Sequence, residues 1–204
     1  NGEFYSSNFK FENKNKIQIE KFKNDNFSNK KETNSLINLN NALSDKGYFL
    51  NINDNYKFNK ILVVYNIFTN DLNENFLNFR NKIKIGKNSE LHMIEFNINN
   101  SKKKFFNNIY ENYFLGNSAI FKNIYIQSNK NQGYFHKYSE SELSNKSDFL
   151  YYIFPSGPKF NKIDLNINLN GENSTCNLQA ASILNNQEHQ EIKTRINHNA
   201  PNSK

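Results

Sequence analysis

Hydrophobic and polar residues alternate along most of the chain after residue 47. The clearest case is the segment 163–169, in which Ile or Leu occupies every odd position and Asp or Asn every even one. A period of two places successive side chains on opposite faces of a strand. The segment therefore predicts a strand with one dry face and one wet face.

The same alternation predicts several more strands. It recurs at 48–52, 94–98 and 124–126, and again at 176–180 and 192–198. A different pattern, the run Ile61-Leu62-Val63-Val64-Tyr65, is rich in β-branched residues and is typical of a buried strand. The chain is thus predicted to be all-β, with the aliphatic side chains of its strands facing inward.

One helix is predicted before the strands begin. Residues 34–43 place Leu36, Leu39, Ala42 and Leu43 on a single helical face. Asn34 or Ser35 is a suitable N-cap, and Gly47 follows soon enough to mark the end. Residues 1–35 are polar and rich in Lys, Asn and Ser, so we expect a leader that is loose or partly helical.

An internal repeat appears when the turns are aligned. The segments 85–89, 115–118 and 169–174 each contain an apolar residue, a Gly and then Asn-Ser, and each leads into an alternating run. Gly supplies the positive φ that a tight turn requires, and Asn-Ser bonds to the local backbone. Repeated strand–turn–strand units favour a solenoid of stacked coils. An ordinary β-sandwich with similar turns is the alternative.

The composition is biased toward Asn, Lys, Ile, Phe and Tyr, which can all be written with codons made only of A and T. The net charge of +7 is therefore weak grounds for nucleic-acid binding. The lysines are scattered, and Arg80 and Arg195 are the only arginines. We interpret the lysines as solvated surface residues and expect no nucleic-acid partner.

The single cysteine, Cys176, permits neither a disulfide within the chain nor an all-cysteine metal site.

No apolar stretch has the length needed to cross a bilayer, and the first ten residues lack the apolar core of a signal peptide. We expect a cytoplasmic protein with no membrane partner. The chain starts at Asn1 and not at Met, and we expect it to be a fragment of a longer reading frame.

No residue of this chain is predicted to be catalytic, to bind a cofactor or to ligate a metal. The spacing of Cys176, His189 and His198 matches no compact zinc pattern. Cys176 alternates with Leu178 and is expected to fill space inside a coil. We expect His189 in a turn and His198 partly buried. No phosphate loop or nucleophile elbow is present, so the residues indicate a scaffold or binding protein and not an enzyme.

Three segments carry a resemblance to the SufB/SufD family. Residues 165–178 resemble the strand–Gly–strand entry to its core domain. Residues 189–203 resemble the family segment with a His at a turn, a Thr-Arg strand and then His-x-Ala-Pro. Residues 39–52 are similar to its Asn-x-Ala-x-x-x-Asp-Gly stretch, nearer to SufD than to SufB, although Lys46 is inserted before Gly47. The resemblance spans residues 36–204.

This resemblance implies a right-handed parallel β-helix, of which residues 36–204 would be the N-terminal and central part. It implies a SufD-like scaffold subunit of the SUF iron–sulfur cluster assembly complex, paired with a SufB-like subunit and a SufC-like ATPase. The complex would assemble an iron–sulfur cluster, with no cofactor held by this fragment. The functional Cys and His of the family, and the helices that grip the ATPase, would lie beyond residue 204. His189, Arg195 and His198 match family-typical positions and are expected to be structural.

Two alternatives remain open from the sequence. One is a SufB-like subunit of the same system. The other is a β-solenoid carbohydrate-active protein, such as a polysaccharide lyase or hydrolase. That class needs acidic or basic residues clustered on one stacked face and an upstream secretion signal, and the sequence displays neither.

Overall fold

The computed structural model describes residues 6–7, 15–22, 34–44, 46–128, 131–185 and 187–204. Strands make up 64% of it, and one short helix is present among the described residues. Most of the expected leader, residues 1–35, lies outside the described residues. In chain order the elements are β1 (Ile17–Lys21), α1 (Ser35–Leu43), β2 (Tyr48–Ile52), β3 (Lys57–Phe68), β4 (Asn75–Ile85), β5 (Glu90–Asn99), β6 (Phe105–Leu115), β7 (Ile120–Ser128), β8 (Asn131–Leu143), β9 (Asp148–Pro155), β10 (Pro158–Leu169), β11 (Thr175–Ala180) and β12 (His189–His198).

The strands form two sheets that wind into a parallel β-solenoid of about five turns. Sheet A has the order β1-β2-β4-β6-β8-β10-β12, and sheet B has the order β11-β9-β7-β5-β3. From β2 onward the chain alternates between the sheets and every pairing is parallel, whereas β1 pairs antiparallel with β2. The predicted stack of coils is confirmed, and an antiparallel sandwich is excluded.

The interior next to the turns is a column of aliphatic side chains. Ile52, Ile85, Leu115, Leu143 and Leu169 occupy matching positions on neighbouring strands of sheet A. Each is at most 2% exposed. Parallel pairing in register places equivalent side chains of successive coils directly above one another, so one aliphatic position per coil forms a continuous dry core.

A second repeated feature is the corner that leads from sheet A to sheet B. Six residues there have φ between 55° and 59°, and they are Asn55, Asn88, Ser118, Lys146, Asn173 and Asn202. The amides of the first five donate along the stack, as from Asn88 N to Asn117 O at 2.9 Å and from Ser118 N to Asn145 O at 2.9 Å. The three predicted turns belong to this set, and three further corners share their geometry.

Glycine precedes the positive-φ residue at three corners because adjacent coils approach closely there. A Cβ added to Gly171 would lie 2.5 Å from the Cα of Asn145 in the preceding coil. At Gly116 it would lie 2.8 Å from the amide nitrogen of Lys87. The glycines thus serve close packing between coils, and the positive φ falls on the Asn or Ser that follows.

Helix α1 lies where the sequence predicts it, but with a different face buried. Asn34 is the N-cap, and its side chain accepts a hydrogen bond from the amide of Leu36 at 2.9 Å. Ile37 and Asn40 are the buried residues, whereas Leu39 and Leu43 are 36% and 56% exposed. The apolar stripe is not the buried face, because Asn40 faces the backbone of sheet A, where it donates to the carbonyl oxygens of Phe79 and Asn108 at 3.0 Å each.

The inward and outward faces of sheet B are partly the reverse of those predicted. The run 61–65 was predicted to be buried, yet Ile61, Val63 and Tyr65 are 56%, 40% and 59% exposed. On β5 the alternating residues 94, 96 and 98 face outward, and Glu95 takes an inward position. The alternation itself was correct, but it does not specify which face is the interior.

Candidate functional site

The outer face of sheet B is largely apolar, with His92 and Lys122 between Ile61 and Leu150 in one of its rows. In-register pairing aligns Tyr65 with Phe96, Phe96 with Ile126, and Ile126 with Phe154. The rings of Tyr65 and Phe96 stack with centroids 5.6 Å apart. Contiguous exposed apolar surface of this kind marks an interaction site in many proteins. The apolar members of this face are Ile61, Val63, Tyr65, Ile67, Ile94, Phe96, Ile98, Ile124, Ile126, Leu150, Tyr152 and Phe154.

Behind this face the solenoid interior contains a buried charge cluster, composed of Glu95, Glu111 and Lys137. Glu95 comes from β5 in sheet B, and the other two come from the neighbouring strands β6 and β8 in sheet A. All three are at most 1% exposed. The ammonium Nζ of Lys137 lies 2.9 Å from Oε2 of Glu95 and 2.9 Å from Oε2 of Glu111. Lysine and glutamate are rarely buried so completely without such pairing.

Neutral groups supply the remaining hydrogen bonds of the two carboxylates. Asn66 Nδ2 donates to Oε1 of Glu95 at 2.9 Å. Asn81 Nδ2 donates to Oε1 of Glu111 at 3.1 Å, and the hydroxyl of Tyr113 donates to Oε2 of Glu111. Lys137 Nζ also lies 4.0 Å from the ring centroid of Tyr125, a cation–π contact. Every carboxylate oxygen therefore has a donor.

Burial and mutual charge shift the pKa values within the cluster. Burial and the Glu111 carboxylate raise the pKa of Glu95 to about 7. Burial lowers the pKa of Lys137, but the two carboxylates outweigh it and hold that pKa well above the ordinary value. Burial and Glu111 raise the pKa of Tyr113. The lysine is therefore charged throughout the physiological range, and the tyrosine is neutral.

A second polar network lies on the outer face of sheet A, next to α1. Asn108 Nδ2 donates to Leu36 O of the helix at 2.9 Å, and Asn108 Oδ1 lies 2.8 Å from Nδ1 of the buried His136. His136 Nε2 is 3.4 Å from Oδ2 of Asp164. Burial raises the pKa of Asp164, but His136 and Lys162 outweigh it, and the net pKa is lowered. This network joins α1 to β6 and continues from there across β8 and β10.

Cys176 lies on β11, where it is half-buried and packs against the aliphatic core. Its backbone amide donates to Lys204 O at 2.8 Å. Burial and the Asp148 carboxylate raise the pKa of the Cys176 thiol to about 11. Since the thiolate is the nucleophilic form, this environment favours the space-filling role that the sequence suggested.

The two candidate histidines lie at opposite ends of β12. His189, expected in a turn, is the first residue of the strand, and its ring stacks on Phe160 with centroids 5.0 Å apart. His198, expected to be partly buried, is exposed, and its Nδ1 lies 3.0 Å from Ser203 Oγ. Arg195 is exposed between them. Among the described residues, no group of three or more His, Cys, Asp and Glu side chains could hold a metal ion.

Sequence reasoning missed the buried charge cluster. Glu95 and Lys137 are 42 residues apart, and their contact depends on the register of stacked coils. A local signal did exist on β5. The predicted strand alternates, and the glutamate Glu95 stands between the apolar residues Ile94 and Phe96. Identifying that glutamate as internal requires knowing which face of the strand is the interior.

In the part of the chain that the structure describes, no helix is long and apolar enough to cross a membrane.

A family model described as "SUF system FeS cluster assembly, SufBD core domain" matches residues 67–204. The match begins near the end of β3 and takes in every strand from β4 to β12. No curated protein matches the chain.

Proposed function

Since the chain belongs to the SufBD core domain family of the SUF iron–sulfur cluster assembly system, we propose that it is a SufD-like scaffold subunit of that system. The family match over residues 67–204 carries the proposal. The parallel solenoid supports it, because a stack of coils presents long, rigid surfaces to partner proteins.

The SufD-like assignment rests on residues 39–52. This stretch forms the last part of α1 and the first solenoid strand, β2. Its departure from the family pattern, Lys46, makes an isolated parallel bridge with Phe79 of β4. A SufB-like subunit of the same system is the alternative. The family match favours either subunit over a β-solenoid carbohydrate-active protein.

We propose a SufB-like subunit and a SufC-like ATPase as the partners. One surface supports a role in assembly, namely the largely apolar outer face of sheet B, where Ile61, Tyr65 and Ile67 are exposed. Exposed apolar patches are surfaces through which proteins bind partners.

The proposal assigns no catalytic step to this chain. Residues 36–204 would form the N-terminal and central part of the core, with residues 1–35 as a leader, in a cytoplasmic complex. The iron–sulfur cluster would be the cargo of the complex. The half-buried thiol of Cys176 and the exposed ring of His198 are given structural roles.

Co-purification tests the proposal. The complete reading frame that contains this chain is tagged and co-expressed with the SufB-like and SufC-like proteins of the same organism. We expect a stable complex that contains all three proteins. A tagged, unrelated parallel β-solenoid is the matched control. Recovery of the tagged protein without either partner would contradict the proposal, and a complex formed only with a SufD-like protein would establish the SufB-like alternative.

A further inference from the structure

We propose that Glu95 is a proton-binding site inside the solenoid, occupied in mildly acidic solution and empty in mildly alkaline solution. The site follows from charge balance. Two carboxylates, those of Glu95 and Glu111, share the single ammonium of Lys137, and all three side chains are almost completely buried. With both carboxylates ionised the cluster carries one uncompensated negative charge, which is costly away from water. One proton taken from solvent brings the cluster to neutrality.

Hydrogen bonding indicates which carboxylate takes the proton. Glu111 accepts from three donors, which are Lys137, Tyr113 and Asn81. Glu95 accepts from two, Lys137 and Asn66. Donors stabilise the ionised form, and Glu95 has fewer of them, so we assign the proton to Glu95. The raised pKa of Glu95, about 7, agrees with this assignment.

The other titratable groups near Glu95 do not compete for the proton. The tyrosines have pKa values raised by burial, so they remain neutral while Glu95 titrates, and Lys137 remains charged. Glu95 is therefore the group of the cluster that changes charge. The titratable residues around it are Tyr48 on β2, Glu111 and Tyr113 on β6, Tyr125 on β7, Lys137 on β8 and Tyr151 on β9.

Protonation of Glu95 also affects strand β3. A neutral carboxyl group has a proton to donate, and the nearest neutral partner is the side-chain amide of Asn66, on β3. In the ionised state the amide nitrogen of Asn66 donates to Oε1 of Glu95. If the proton is bound on Oε1, the amide must flip, so that its oxygen accepts a hydrogen bond from the carboxyl group. Asn66 is half-buried, and the adjacent residues Tyr65 and Ile67 lie on the apolar outer face. The proton site is thus coupled to the strand that forms the edge of that face.

Infrared spectroscopy tests the site directly. In a pH series that brackets 7, we expect the intact chain to show a protonated-carboxyl carbonyl band that disappears with a midpoint near 7. The Glu95→Gln variant should lack this band. The control Glu140→Gln, which removes an outer-face glutamate paired with Tyr110, should keep it. The absence of the band, its persistence in Glu95→Gln, or its removal only by Glu111→Gln would each overturn the proposal.

Equilibrium unfolding supplies a second readout. The folded state holds the proton up to a pH of about 7, whereas the unfolded chain releases it near 4.5. This contribution to stability is therefore complete below 4.5 and is lost as the pH rises toward 7. The ratio of the wild-type unfolding constant to that of Glu95→Gln should rise by about tenfold per pH unit across this interval and then level off. A ratio independent of pH would refute the site.

Two measurements keep the test decisive if the glutamine variant does not fold. In wild-type chain labelled with ¹³C-glutamate, one carboxyl resonance should titrate with a midpoint near 7. Asn66→Ala removes a donor to the ionised form, so it should raise that midpoint, whereas Asn59→Ala, at an exposed position of the same strand, should not. The absence of such a resonance, or equal midpoints in the two alanine variants, would count against the proposal.

Discussion

The ammonium of Lys137 lies 2.9 Å from a carboxylate oxygen of Glu111, in the interior of the solenoid and beyond the reach of solvent. The two residues belong to neighbouring strands of sheet A, β8 and β6. A buried ion pair costs free energy to desolvate and recovers it only while both partners are present. Lys137 therefore neutralises carboxylates that the interior otherwise tolerates poorly.

Replacing the lysine should destabilise the chain severely. Lys137→Met leaves two carboxylates without a counter-charge, and we expect the free energy of unfolding to fall by about 3–5 kcal/mol. Urea denaturation measures the change. Lys122→Met, on the outer side of β7, is the control and should cost less than about 1 kcal/mol. Similar losses in the two variants would contradict a charge-compensating role for Lys137.

Restoring neutrality should rescue the methionine variant. Adding Glu95→Gln and Glu111→Gln to Lys137→Met removes the uncompensated charges, so the triple variant should be more stable than Lys137→Met alone. The comparison uses the same urea unfolding curves. A triple variant that is less stable than the single one would show that lost packing, and not charge, explains the effect of the lysine.

The corner at Gly171 should not tolerate a methyl group. In Gly171→Ala the new Cβ would lie 2.5 Å from the Cα of Asn145, so the coils must separate. We expect a loss of about 1–3 kcal/mol, the usual cost of overpacking, in thermal or urea unfolding. Glu172→Ala, at an exposed position of the same corner, is expected to change stability by at most about 0.5 kcal/mol. Equal stability of Gly171→Ala and wild type would disprove the close approach.

Replacing Lys146 by Asn, the residue found at most of the other corners, should stabilise the chain. It has a φ of 57°, and Asn occupies the equivalent position at residues 55, 88, 173 and 202. Asn adopts this left-handed conformation more readily than Lys, so Lys146→Asn should gain about 0.5 kcal/mol in urea unfolding. Lys87→Asn, beside such a position but not at one, should give no gain. A lower unfolding midpoint for Lys146→Asn would contradict the equivalence of the corners.

The outer face of sheet B should bind apolar probes. Ile61 and Ile67 are 56% and 61% exposed on β3, so Ile61→Ser with Ile67→Ser should reduce the fluorescence of a bound hydrophobic dye while leaving the native circular dichroism unchanged. Leu43→Ser, at an exposed position of α1 outside this face, is the control and should have little effect. Equal dye binding in wild type and the double variant would argue against an accessible apolar face.

The alternation of residue types, together with the β-branched run on β3, predicted seven of the strands, because such patterns are local properties of the sequence, but β1, β4, β6, β8 and β9 were not predicted. It located the strands carrying Ile163, Cys176 and Ile192. The turn motif identified three of the six corners, those in which a glycine accompanies Asn-Ser. The corners at Asn55, Lys146 and Asn202 have no glycine beside them, so their common conformation is visible only in the structure.

The sites depend on information that a single strand does not contain. Ile94 and Glu95 are adjacent, and only the winding of the coil determines that the isoleucine faces outward and the glutamate inward. The contact of Glu95 with Lys137 further requires the register of two sheets. The buried face of α1 was missed for a similar reason, since Asn40 is buried to satisfy backbone carbonyls of sheet A and not for its own hydrophobicity.

Cluster formation by the reconstituted complex tests the central claim most directly. The complete protein is combined with the SufB-like and SufC-like partners, ATP, iron and a sulfur donor, and the absorbance of iron–sulfur clusters on the complex is followed with time. A scaffold subunit predicts cluster assembly that depends on this protein and is lost when it is omitted. Equal cluster formation by the two partners without it would contradict the account.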